Sequence, residues 1–283
     1  MKRLMLTWYG DDFTGSTDVM ETLALAGLRS VLFLAPPDPN LIATRFSDVH
    51  AIGVAGVGRA LPVDQLADEL NPVFAALASV GAPLFHCKVC STFDSSAQVG
   101  SIGRTIELAL RHFSAGWVPL VVGAPRLQRF VAFANLFAGF GPEVFRLDRH
   151  PTMRAHPVTP MREADLRLHL ARQTALPIRH VDLTSFGQHF RERVNEACQA
   201  AAKTVPPIVL FDSCTDAHLD QIGDLLGEET RPPLVVGSSG VEHALVSSWQ
   251  RRGVLPPHEP ALSLTEADRI LVVSGSAAPQ TAA

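Results

Sequence analysis

The sequence predicts an α/β fold: a doubly wound, mostly parallel sheet with helices on both faces, in a Rossmann-like three-layer arrangement. Three observations carry this. Short runs rich in Val, Ile, Leu and Phe alternate with longer stretches of helical periodicity, the pattern of repeated βαβ units. The runs are apolar almost throughout instead of alternating with polar residues, as strands covered on both faces must be. Several of them end in a short polar or glycine-rich turn, where open α/β sheets carry their chemistry.

Taken in order, strands are expected at 5–9, 30–34, 50–54, 84–88, 120–122, 208–211, 234–236 and 270–273. Helices are expected at 18–27, 63–80, 101–113, 164–174, 186–203, 217–227 and 241–252. Two stretches interrupt the alternation. "APPDPN" reads as a proline-rich turn, and "LDRHPTMRAHPVTPMREADL" holds three X-Pro bonds, each of which disfavours helix at the preceding residue. The second is expected to be a long ordered loop or a lid.

Composition narrows the function classes. The 283 residues are 47% hydrophobic and 18% charged, enough apolar material for a sizeable core and against disorder. A net charge of -4 provides no electrostatic footprint for nucleic acid. No apolar run reaches the length of a bilayer span, and the N-terminus lacks the features of a signal peptide, so the expected location is cytoplasmic. Of the four cysteines, Cys87 and Cys90 form a C-x-x-C. Cys198 and Cys214 do not supply a second pair for zinc, so reduced cysteines and no metal site are expected.

The chemistry-bearing residues cluster at the strand ends. In "LTWYGDDFTGSTDVMETLALAGL", Gly10 allows a tight turn, Asp11 and Asp12 project from the strand end, and Thr14 to Thr17 precede a helix. Paired carboxylates beside a helix N-terminus suit a polyhydroxylated acid: one acid orients or deprotonates a hydroxyl, while the helix end attracts the acid group. An ordinary helix cap is the competing reading. In "FHCKVCSTFDSSAQVGSIGR", Lys88 closes a strand and is followed by Ser91, Thr92 and Asp94; this is not a Walker A order. In "VVGAPRLQRFVAFANLF", Arg126 and Arg129 follow a buried strand, where an arginine can clamp a carboxylate. "PLVVGSSGVEHAL" lacks the second glycine of a nucleophile elbow, and "VVSGSAAP" could admit a phosphate. His86, His150 and His243 read as structural or surface residues, with His156 in the proline-rich loop as the exception.

These segments, taken together and in this order from Trp8 onward, resemble the four-carbon acid sugar kinase family, also called DUF1537. The resemblance implies an N-terminal domain for a sugar acid such as a threonate, erythronate or dehydroerythronate, and a C-terminal domain for ATP, with phosphorylation of a terminal hydroxyl and Mg²⁺ on the ATP phosphates. Carried over by position, it implies Asp12 as the group that accepts the hydroxyl proton and Asp11 as its partner. Lys88 and Arg129 would hold the acid group, with Ser91, Thr92, Asp94, Asn135 and His156 around the substrate. Ser274 and Ser276 would open the nucleotide domain. Cys90 and Asp94 stand where many members have Asp and Arg, which marks a distinct subgroup. The implied division is a substrate domain over 1–258 and, over 259–283, a linker and the first strand of the nucleotide domain, so that most ATP contacts are expected elsewhere. The partners are thus the sugar acid and ATP, with oligomeric state open and a homodimer among the options. A non-catalytic sugar-acid sensor is the alternative. A dehydrogenase is disfavoured because acids occupy the place of the G-x-G-x-x-G glycines.

Overall fold

The computed structural model describes residues 4–199, 205–228 and 231–256, with His258, Asp268, Arg269 and Leu271 as single positions. Its centre is an eight-stranded sheet in the order β2-β3-β1-β4-β11-β5-β10-β9. The strands are β1 (Leu6–Gly10), β2 (Ser30–Phe33), β3 (Ala51–Ala55), β4 (Phe85–Lys88), β5 (Val118–Val121), β9 (Ile178–Val181), β10 (Ile208–Phe211) and β11 (Leu234–Gly237). Every pairing in this sheet is parallel.

Helices cover both faces. The period-2 alternation of the strands divides the core between them. Tyr9, Phe85, Cys87 and Val236 point into one cluster, which also holds Phe74 of α3 (Leu66–Ser79), Ile106 of α4 (Ile102–Ala109) and Leu166 of the short α5 (Leu166–Leu170); α2 (Pro39–Arg45) packs at its margin through Ile42. Trp8, Val121 and Val235 point into the other. There they meet Val19 and Leu23 of α1 (Phe13–Leu25), Val194 of α6 (Phe190–Gln199), Ile222 of α7 (Asp216–Leu226) and Leu245 of α8 (Gly240–Arg251). Phe74 meets Tyr9 and Phe85 edge to face, with centroids 5.5 and 5.4 Å apart, geometries that add about 0.5–1.5 kcal/mol each beyond burial.

The connections reverse direction at the middle of the sheet. From β1 the chain leaves toward β2 and β3; from β4 it leaves toward β5. The crevice outside the carboxyl ends of β1 and β4 is therefore the topological switch point, where such sheets take ligands. Gly10, the last residue of β1, pairs with Lys88, the last of β4.

The structure departs from the sequence reading at four places. Helix α1 begins at Phe13, so Thr14 to Thr17 are its first turn and not a separate one. Asp12 caps it by accepting the Gly15 N–H at 2.8 Å, which outweighs the weak helix propensity of Thr and Gly. Helix α2 starts inside the proline-rich turn, with Asp38 as N-cap and Pro39 at the first helical position, a placement where proline costs nothing. The third departure is a three-stranded antiparallel sheet, β6 (Arg129–Ala132), β7 (Asn135–Phe140) and β8 (Glu143–Arg146). Its first hairpin turns at Phe133 and Ala134 with φ of 49° and 64°, without the Asn-Gly signal that such turns usually carry. Strand β9 also escaped the reading; it lies at the sheet edge with Arg179 and His180 in it. The strand expected at 270–273 lies, apart from Leu271, outside the described residues.

A buried carboxylate holds the strained hairpin. Asp212, fully buried just beyond β10, accepts the N–H groups of Phe133 at 2.6 Å and Ala134 at 2.9 Å. It also bonds Leu183 N at 3.0 Å and His180 Nε2 at 2.8 Å. Asp212→Ala strands those donors and is expected to cost about 3–5 kcal/mol in urea unfolding. Ala134→Gly, which removes the Cβ penalty at positive φ, is expected to be neutral or to gain up to about 1 kcal/mol in the same measurement.

Candidate functional site

Asp11 and Asp12 sit at the switch point because β1 ends one residue earlier. The Asp11 N–H continues the sheet by donating to Lys88 O at 3.1 Å, and Asp12 turns the chain into α1. Gly10 permits this turn: a side chain there would strike Ser16 of α1. The two carboxylates share one guanidinium. Arg59 donates from Nε to Asp11 Oδ2 at 3.2 Å and from Nη2 to Asp11 Oδ1 at 2.7 Å. Its Nη1 lies 3.0 Å from Asp12 Oδ2. Burial pushes the Asp11 carboxyl up, opposed by the charge and hydrogen bonds of Arg59 and the charge of Lys88, with Asp12 adding to the rise. Burial works against the Arg59 charge, but Cys90, Asp11 and Asp94 more than offset it, so the guanidinium stays protonated.

Lys88 is the second cation. It is 3% exposed, yet among the described residues its ammonium makes no hydrogen bond or ion pair. The ammonium lies over the first turn of α1: a Cβ on Gly15 would fall 2.7 Å from Lys88 Nζ and 2.5 Å from Asp12 Oδ1. Glycine at 15 is therefore what lets the lysine reach the helix N-terminus, where its ammonium and the positive end of the helix together attract an anion.

A cavity of about 300 Å³ opens beside these groups. Asp11, Asp12 and Arg59 line it, together with His156 and Thr159 from the proline-rich loop. His156 Nδ1 accepts the Thr159 N–H at 3.0 Å, which folds this loop against the cavity. Phe13, Val57 and Val158 form an apolar, exposed rim. The lining offers two carboxylates for hydroxyls, the Arg59 guanidinium between them and an imidazole, with Lys88 close by over the first turn of α1.

The segment after Lys88 closes the back of the site. Thr92 Oγ1 donates to Asp94 Oδ1 at 2.8 Å and lies 3.0 Å from Cys90 Sγ. Asp94 faces Arg59 electrostatically, and Ser91 is half-buried at the head of this turn. Phe93 is buried at φ 55°, and a small network braces it: Ser95 Oγ donates to Phe93 O at 2.9 Å, accepts from Gln173 Nε2 at 2.9 Å and lies 3.0 Å from His169 Nε2. The cysteines are unpaired; Cys87 points into the core, and burial pushes the Cys90 thiol up to about 11. Among the described residues no group of three His, Cys, Asp or Glu is placed to hold a metal ion, and no helix is long and apolar enough to cross a membrane.

The structure thus brings Asp11, Asp12 and His156 around one cavity, with Lys88 beside Asp12 at the start of α1 and Thr92 and Asp94 in the segment that follows it. Two further candidates, Arg129 and Asn135, bond to backbone carbonyls of their own segments. Arg129 Nη1 donates to the carbonyls of Leu127 and Gln128 at 2.8 and 3.2 Å, although Cys90 acts on it through space. Asn135 Nδ2 donates to Phe133 O at 3.0 Å and so serves its own hairpin. Ser274 and Ser276 lie outside the described residues. Arg59 was missed. Its signal was present in "VAGVGRALP", a glycine-bearing turn at the end of the strand next to β1, but an arginine there reads as solvated until the strand order is known. His86 is structural: its ring lies between β4 and α8, 2.5 Å from Glu242 Oε1 and 3.2 Å from Gly237 O.

The loop brace sets an acid limit. Burial and then Arg172 lower the His169 pKa from 6.5 to about 4. The folded chain therefore binds fewer protons than the unfolded chain between those values. The stability contribution is complete above about pH 6.5 and is lost as the pH falls toward 4, by on the order of 3 kcal/mol. Urea unfolding at pH 7.5, 6.0 and 4.5 is expected to show this slope in the wild type and a shallower one in His169→Gln.

The family of sugar-binding N-terminal domains matches residues 6–245. A 3-oxo-isoapionate kinase of Paraburkholderia graminis is 47% identical over 282 residues, which is 99% of this chain and 59% of that protein. A 3-oxo-tetronate kinase of Cupriavidus necator is 29% identical over 99% of this chain and 62% of its own length. The chain therefore spans about three fifths of these curated relatives. A solved DUF1537 protein of Haemophilus influenzae has a TM-score of 0.72 at 25% identity, covering 85% of this chain and 55% of that one. With the switch-point crevice, its paired aspartates and this match over most of its length, the chain belongs to the four-carbon acid sugar kinase (DUF1537) family, as its sugar-binding N-terminal domain.

Proposed function

We propose that the chain is the substrate-binding part of an ATP-dependent, cytoplasmic kinase acting on a small 3-oxo sugar acid of the tetronate or isoapionate kind. The observation that carries this reading is the convergence of paired carboxylates and the unbonded ammonium of a mostly buried lysine at the switch point, in a chain 47% identical to a 3-oxo-isoapionate kinase. A sugar acid needs acceptors for its hydroxyls and a cation for its carboxylate, and this crevice offers both.

In this reading Lys88 takes the acid group, with Arg129 as its second cation, and Thr92, Ser91, Asp94, Asn135 and His156 complete the surroundings. The terminal hydroxyl lies on Asp12. As the hydroxyl oxygen bonds to the γ-phosphorus of ATP and the bond from that phosphorus to the oxygen of departing ADP breaks, the hydroxyl proton passes to Asp12, while Asp11 holds a neighbouring hydroxyl. Asp12 needs only modest basicity, because phosphoryl transfer depends mainly on positioning and electrostatics.

ATP supplies the phosphoryl group when bound. The serines proposed for it, Ser274 and Ser276, belong to the proposed 259–283 linker and first nucleotide-domain strand, with 1–258 as the substrate domain. The described residues do not by themselves fit Mg²⁺: both switch-point carboxylates are bonded by Arg59, and no third acid joins them.

Two measurements test the reading. Calorimetric titration of this chain with four-carbon acids and with the neutral polyol erythritol is expected to show binding of the acids only, and Lys88→Gln is expected to weaken it about 10- to 100-fold. Equal binding of acid and polyol would remove Lys88 as the acid-group ligand. In the full-length protein, Asp12→Asn is expected to abolish ATP-dependent turnover with an unchanged circular dichroism spectrum; near-normal kcat would remove Asp12 as the base.

A further inference from the structure

We infer that Arg59 is the positioning residue of this site: one guanidinium that spans both aspartates and sets which of their oxygens face the cavity. Its three nitrogens divide between the acids, two on Asp11 and one on Asp12. Asp12 is then fixed at both oxygens, Oδ1 by the Gly15 N–H and Oδ2 by Arg59, so its remaining lone pairs have defined directions. Adjacent carboxylates repel each other, and among the described residues no other cation bonds either one, since Lys88 acts on Asp11 only through space.

The backbone around Arg59 is built to hold it. The Arg59 N–H donates to Asp11 O at 3.0 Å. The preceding Gly58 N–H donates to the buried Tyr9 hydroxyl at 3.1 Å. On the other side Gly100, at φ 60°, lies against the Arg59 carbonyl so closely that a Cβ would come within 2.4 Å of it. An arginine serving only as a solvated surface charge has no use for three such anchors. Lysine cannot replace it, because a single ammonium has no planar fork with which to bridge two carboxylates.

The charged and titratable groups facing this pair come from every neighbouring element: Tyr9 on β1, Lys88 and Cys87 on β4, Cys90 and Asp94 after it, and His156 across the cavity. Two of these, Cys90 and Asp94, act on Arg59 itself. Removing the guanidinium leaves Asp11 and Asp12 with Lys88 as the nearest cation, so one proton should bind the pair more tightly.

The physical part of this inference needs no substrate; its catalytic consequence rests on the kinase reading. The first experiment follows the carboxyl ¹³C shifts of Asp11 and Asp12 with pH in the ligand-free 283-residue chain, assigned with Asp11→Asn. In Arg59→Gln the pair is expected to bind its last proton about tenfold or more tightly than in wild type. Arg59→Lys is expected to fall between the two, and it serves as the reporter if Arg59→Gln does not fold. The second experiment uses the full-length protein and whichever four-carbon acid the wild type phosphorylates. The expected result is a kcat about 10- to 100-fold lower in Arg59→Gln, a nearly unchanged KM, an acid limb moved to higher pH and partial recovery in Arg59→Lys. Wild-type titration in both variants overturns the inference, as does a loss confined to KM. Absence of turnover in the wild type counts against the kinase reading alone, because the titration stands without it.

Discussion

The parallel pairing of β1 with β4 is the constraint on which the rest of this site depends. These strands are far apart in sequence; β4 ends in Lys88 and β1 stops one residue short of Asp11, charged groups that would be solvated on their own. Pairing Gly10 with Lys88 brings an acid pair and an ammonium to one crevice without a salt bridge forming between them. The sheet can hold that arrangement because its large side chains lie on both faces below it, from Trp8 and Val235 on one side to Tyr9, Phe74 and Phe85 on the other. A cation without a partner on a mostly buried lysine is costly in an isolated protein. The core supplies the rigidity to keep it there, and a bound anion would recover the cost.

Around that pairing each neighbouring strand end contributes one kind of group. β1 provides the carboxylates and, through the Asp12 cap, the start of α1. β3 provides Arg59 through a glycine-bearing turn. β4 provides Lys88 and the braced loop through Asp94. The proline-rich loop closes the far wall with His156. Acids and cations alternate across the crevice, so each carboxylate has a donor and each cation an acceptor or an open position. The open positions, on Lys88 and on the cavity side of Asp12, are what a hydroxylated acid would fill.

Much of the sheet was legible in the sequence, because strands covered on both faces must be apolar throughout and so stand out from the helices between them. The Asp11–Asp12 pair and Lys88 were legible for a related reason: charged residues at the end of an apolar run are conspicuous. The β6–β8 sheet was not legible. Its hairpin bends at Phe133 and Ala134, residues that carry no turn signal, and the positive φ there is tolerated because Asp212, from a distant strand, bonds both N–H groups. Arg59 was hidden for the same kind of reason, since nothing near it in sequence says that its side chain faces two aspartates.

The sequence by itself determined the layered α/β class, the strand-end location of the chemistry and the family resemblance. These follow from local patterning: periodicity, glycine placement and short ordered motifs are properties of neighbouring residues. Tertiary structure alone decided which strand ends meet, that Arg59 rather than Arg129 lies against the aspartates, and that Asn135 turns back on its own hairpin. Those outcomes depend on strand order and on contacts between residues dozens of positions apart, and strand order is set by how the whole core packs, which no local stretch of the chain encodes.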